Sequence, residues 1–108
     1  MEDQQVEYQP KMVELEGKIF SHHVYILMDL GEILSYISPK IVDLYHMQSM
    51  KFRNSWLVQL ATGAKKRVTA NVEHCIIDIV GQQGKENLNF LQLGSYDLLI
   101  GMDWLEQH

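Results

Sequence analysis

The chain has 108 residues, 46% of them apolar, which supplies one hydrophobic core and excludes a second domain. With 14 Asp and Glu against 9 Lys and Arg the net charge is −5, so binding to a phosphate backbone or an anionic membrane is disfavoured. No apolar run approaches the ~18 residues of a membrane helix, the amino-terminal Met-Glu-Asp-Gln-Gln is unlike a signal peptide, and the single Cys75 excludes an internal disulfide, so a cytoplasmic domain held together by packing is expected.

Residues 1–12 carry Pro10 and no hydrophobic period, and are read as a flexible arm ahead of a domain over residues 13–108. Val13, Leu15 and Ile19 alternate with Glu14, Glu16 and Lys18, the two-residue period of a half-buried strand, with Gly17 marking a bulge or twist. Ser21-His22-His23 reads as a polar turn. The run Val24-Tyr25-Ile26-Leu27-Met28 is too short for a helix and reads as a strand covered on both faces, ending at Asp29-Leu30-Gly31. Ser38-Pro39 opens a helix, because serine suits the N-cap and the missing N–H of proline has no partner at the first helical position. Ile41, Val42, Leu44 and Tyr45 form its buried face.

Residues 56–60 and 67–79 are strands flanking the turn Ala61-Thr62-Gly63-Ala64-Lys65, a β-hairpin. Gly81-Gln82-Gln83-Gly84 is read as another turn, residues 87–93 as a strand broken by Gly94-Ser95, and residues 96–100 as a last apolar strand. Gly101 then releases the chain into a short helix with Asp103 in its first turn, where the helix dipole favours an acid. The prediction is an all-β domain with two short helices.

Asp29 is the most informative local feature. A carboxylate at the end of an apolar strand, two residues before a glycine, is partly desolvated and suits proton transfer, although such an aspartate more often only accepts backbone hydrogen bonds. Peptide hydrolysis by carboxylates alone needs two of them sharing a proton. With a single Asp-x-Gly in such a setting, two copies of the chain would have to meet on a two-fold axis.

Several strings resemble the retropepsin-like aspartic proteases of gypsy-type LTR retrotransposons, especially plant elements. The family's apolar strand with Asp-Ser/Thr-Gly-Ala is echoed by Ile26-Leu27-Met28-Asp29-Leu30-Gly31, and its Ser-Phe/Tyr-Ile-Ser segment by Ser35-Tyr36-Ile37-Ser38. Its late Leu/Ile-Gly-Met-Asp-Trp-Leu string is matched by Ile100-Gly101-Met102-Asp103-Trp104-Leu105, and Leu60-Ala61-Thr62-Gly63 is similar to its flap. The resemblance implies a closed retropepsin-like barrel acting as a homodimer on a peptide or polyprotein substrate. It implies that Asp29 is catalytic and that Gly31, Ala61, Thr62 and Gly63 contact substrate. Ile100 and Gly101 would form a structural loop beneath the active-site loop, and Asp103 would be the helix-opening acid.

Three positions depart from the family pattern: Leu30 stands for the Ser or Thr, Glu32 for the Ala, and Ile33 for the following Thr. Leucine cannot make the hydrogen bond with which that hydroxyl braces the two active loops, so impaired activity is expected. A non-catalytic domain of the same fold, binding peptides or mediating dimerisation, is the alternative. No metal or cofactor site is expected, since His22-His23 and His74-Cys75 are adjacent pairs whose side chains point to opposite faces of a strand. The basic triplet Lys65-Lys66-Arg67 reads as a solvated face, and Cys75 as a small buried hydrophobe.

Overall fold

A computed structural model gives the fold, described here for residues 12–107. The arm expected over 1–12 lies outside the described residues except for Met12, which opens the first strand. In chain order the elements are β1 (Met12–Ile19), β2 (His22–Asp29), β3 (Tyr36–Ile37), α1 (Pro39–Leu44), β4 (Met50–Gln59), β5 (Lys65–Ile79), β6 (Gln82–Phe90), β7 (Leu98–Ile100) and α2 (Met102–Leu105). The strands make one sheet in the order β1-β2-β7-β3-β6-β5-β4. A further pairing of Gly17–Ile19 with Ile77–Ile79 joins β1 to β5 and closes the sheet on itself, leaving β4 outside the ring as an arm attached to β5. The all-β class with two short helices is therefore observed.

Closure explains Gly17. Its ladder with β2 runs without a register shift, so there is no bulge. A Cβ there would instead lie 2.6 Å from the Asp78 carbonyl oxygen and 2.7 Å from Ile26 Cδ1, so glycine is what lets β1 approach β5.

One strand serves two cores. In β5 the buried apolar residues are Val68, Ala70 and Val72, then Cys75, Ile77 and Ile79, so their inward parity changes across Glu73-His74. The register with β6 shifts there, His74 takes a positive φ of 56°, and its N–H donates to Asn87 Oδ1 at 2.9 Å. This bulge inserts one residue and turns the second half of β5 over. The first half packs Val68 with Tyr36, Val58, Leu91 and Leu99 in a small cluster. The second half joins Ile19, Ile26, Leu88, Leu98 and Trp104 in the main core, which α1 enters with Ile41 and Val42.

Several boundaries differ from the sequence reading. The first hairpin turns at Phe20-Ser21, so His22 and His23 belong to β2: the His22 ring stacks on Tyr45, and His23 Nε2 lies 2.9 Å from Glu16 Oε1. Tyr25 is exposed, so β2 is not covered on both faces. Ser38 caps α1 as the sequence indicates, its hydroxyl accepting from the Lys40 N–H, but α1 is short enough that Leu44 falls outside the core and Tyr45 is only partly buried. β4 begins at Met50, where polar residues hide the alternation. The second tight turn is Val80-Gly81, so Gln82 and Gly84 lie in β6, which ends at Phe90. The last strand is confined to Leu98–Ile100.

Both two-residue hairpins turn through positive φ, at Phe20 (47°) with Ser21 (71°) and at Val80 (51°) with Gly81 (77°). Left-handed backbone suits Asn and Gly and is costly for a β-branched residue. Val80 is 85% exposed and has little packing to compensate. Replacing Val80 by Asn is expected to stabilise the domain by about 1 kcal/mol, read as a higher denaturant midpoint at unchanged m-value.

Candidate active site

Asp29 is the last residue of β2 and 9% exposed. Its strand is gripped on both sides, by antiparallel pairing to β1 and by parallel pairing of Ile26–Met28 with Leu98–Ile100 of β7. Asp29 Oδ1 accepts from the Gly31 N–H at 2.8 Å and the Asp29 carbonyl accepts from Glu32 N–H at 3.2 Å, so residues 29–32 form a tight turn. A Cβ on Gly31 would lie 3.2 Å from Asp29 Oδ1 and 3.4 Å from Ala61 Cβ.

The following loop is seated on the β7–α2 junction. The first N–H groups of a helix have no partner within it, and here Met102 and Asp103 donate theirs to the carbonyls of Glu32 and Ile33, each at 2.9 Å. Ser35, fully buried, accepts from Gly101 N–H at 2.9 Å and donates its hydroxyl to Asp103 Oδ1 at 2.6 Å. Asp103 Oδ2 accepts from the Ser35 N–H at 3.1 Å, and Oδ1 also from its neighbour Trp104. At Gly101 a Cβ would stand 2.3 Å from the Leu34 carbonyl oxygen and 2.8 Å from that of Glu32. The seat thus needs a glycine, a serine and an aspartate from segments far apart in sequence.

The β4–β5 turn reaches the same loop from the other side. Ala61 N–H donates to Glu32 Oε2 at 2.7 Å. A cavity of about 510 Å³ lies between them, walled by Gly31, Ile33, Leu34 and Tyr36 from the loop side and by Val58, Leu60, Ala61 and Gly63 from the hairpin. Gly31, Ala61 and Gly63 are thereby brought together, while Asp29 and Thr62 are not in the wall; Thr62 Oγ1 accepts from Ala64 N–H within the turn. Leu30 and Ile33 are exposed to 50% and 75%.

A model of the family described as retroviral aspartyl protease matches residues 1–108. The chain belongs to that family. Among solved structures, the EIAV protease complexed with the inhibitor HBY-793 superposes with a TM-score of 0.68 at 16% identity, over 94% of this chain and 93% of that one. The retroviral protease-like domain of Ddi1 from Leishmania major gives a TM-score of 0.63 at 16% identity, covering 93% of this chain and 79% of that domain. At such identity these likenesses speak for the fold, which is retropepsin-like. A search of curated proteins gives no match.

Titratable groups of this retroviral aspartyl protease domain cluster beside the seat. Tyr36 has its hydroxyl pushed up to about 12 by burial, then by the carboxylates of Glu32 and Asp103. Burial, and secondarily Glu86, pushes the Cys75 thiol up to about 12, which keeps it protonated and unreactive. Glu86 itself is pushed up to about 7 by desolvation, then by repulsion from and hydrogen bonding to Asp103. Sequence reasoning placed Asp103 at the helix start but missed its Ser35 bonds, and it gave Glu86 no role. Nothing local marks either, because their partners come from segments distant in sequence. Among the described residues no group of three or more His, Cys, Asp or Glu could hold a metal ion, and no helix is long and apolar enough to cross a membrane.

Two outcomes follow from this geometry. Gly101→Ala forces a methyl group into backbone carbonyls and is expected to destabilise the domain by ~1–3 kcal/mol in denaturant unfolding. Glu86 keeps its proton in the folded chain up to about 7 but loses it near 4.5 when unfolded, so the folded state binds more protons between those values. Stability should fall as pH rises from about 4.5 to about 7 and then level off, and Glu86→Gln should remove that component of the slope in a pH series of unfolding curves.

Proposed function

We propose that the chain is the aspartic endopeptidase domain of a retrotransposon polyprotein, working in the cytosol as a homodimer whose two Asp29 residues hydrolyse a peptide bond. The observation that carries this reading is the seating of the Asp29 loop on Gly101–Asp103, in a chain that belongs to the retroviral aspartyl protease family and offers one Asp-x-Gly. One Asp29 carboxylate takes a proton from water as the water oxygen attacks the carbonyl carbon. Its protonated twin gives a proton to the carbonyl oxygen, and the tetrahedral species collapses with cleavage of the C–N bond and protonation of the leaving amine. Only Oδ1 is used in the local turn, which leaves Asp29 capacity to meet water and its twin. The β4–β5 turn acts as the flap, with Ala61, Thr62 and Gly63 at its tip and the substrate backbone lying between it and Gly31. The exposed side chains of Leu30 and Ile33 supply apolar area at the dimer contact.

Leu30 also favours a second reading. Its side chain has no hydroxyl to brace the paired loops, and misalignment of an active site can cost ~100-fold in rate. A catalytically silent domain that binds peptides or dimerises fits that residue. Cleavage of a peptide library at pH 4–6 by wild type, Asp29→Asn and Leu30→Ser, with sedimentation of each, separates the two. The endopeptidase reading expects a dimer with weak wild-type cleavage that Asp29→Asn abolishes and Leu30→Ser raises by about 100-fold. A dimer or peptide complex with no cleavage in any variant would leave the silent domain.

A further inference from the structure

We infer that Glu32 is a flap-positioning residue, whose carboxylate holds the flap tip at Ala61 down on the Asp29 loop within a single subunit and must let go before a peptide can enter. The inference deepens the endopeptidase reading, but its readout is amide exchange and stands whether or not the domain cleaves peptides. Glu32 is 6% exposed, and a carboxylate so placed is costly unless it is hydrogen-bonded. Among the described residues its side chain makes one hydrogen bond, to the Ala61 N–H at 2.7 Å, the short length of a charge-assisted contact.

Apart from this hydrogen bond, the flap rests on the apolar packing of Val58 and Leu60 against the small cluster. Among the described residues β4 pairs only with β5, and the remaining hydrogen bonds of residues 60–64 stay inside the turn: Leu60 N–H to the Ala64 carbonyl, Gly63 N–H to the Leu60 carbonyl, and Ala64 N–H to Thr62 Oγ1. Among the described residues the Glu32 contact is thus the hydrogen bond that ties this turn to the body of the domain. Ala61 also lies close to Gly31, where an added Cβ would meet the Ala61 methyl at 3.4 Å. Ala61 and Glu32 are both in the wall of the 510 Å³ cavity, so a peptide backbone laid between flap and loop must part them.

Residue-resolved hydrogen exchange on the full chain tests this through the Ala61 amide. Glu32→Ala should speed its exchange by at least ~10-fold, with Glu32→Gln, which keeps an oxygen acceptor without the charge, falling between Ala and wild type. Amides of Ile77 and Leu88 in the main core should exchange as in wild type, reporting an intact fold. An Ala61 amide that exchanges no faster in Glu32→Ala than in wild type, with core protection intact, overturns the inference. Should Glu32→Ala lose core protection, Glu32→Gln decides alone: faster Ala61 exchange than wild type supports the latch, and an unchanged rate refutes it.

Discussion

The contact on which the rest of the structure depends is the one between the loop after Asp29 and the β7–α2 junction. α2 is a single turn, too short to be stable by propensity, and opens on a glycine with no capping side chain. Its first N–H groups are satisfied by carbonyls of the loop, and the loop in turn is held by Ser35 and Asp103. Each half thus satisfies backbone polar groups of the other. Because β7 also pairs in parallel with β2, the strand that delivers Asp29 and the junction that supports its loop are parts of one hydrogen-bonded unit.

That unit sits in a sheet that closes through β1 and β5, and the closure leaves β4 and the first half of β5 projecting as a hairpin over the loop. The bulge at Glu73-His74 makes this possible. It lets Val68 face the small cluster beneath the hairpin while Cys75, Ile77 and Ile79, on the opposite parity, face the main core. The apolar cluster under the hairpin is small compared with the main core.

Charge is distributed to match. In a chain of net charge −5, Glu32, Glu86 and Asp103 gather around the loop and its seat, and each is stabilised differently. Glu32 uses a backbone N–H from the hairpin, Asp103 uses Ser35, and Glu86 is pushed up to about 7 by burial and then by Asp103. An acid where the family pattern has a small apolar residue therefore acquires a specific partner in this chain.

Much of the fold was legible in the residues themselves. Alternation marked β1 and β5, the Ser38-Pro39 pair marked the start of α1, and the Asp29 and Gly101–Leu105 strings pointed to the retropepsin-like class, because these signals are local and each residue carries its own period, cap or motif. What only the tertiary structure decided is which distant groups meet: Gly17 against Asp78, Ser35 against Asp103, Glu32 against Ala61. Such pairings depend on how strands close into a ring, and a carboxylate or a glycine looks the same in sequence whether it faces water or the backbone of a strand sixty residues away.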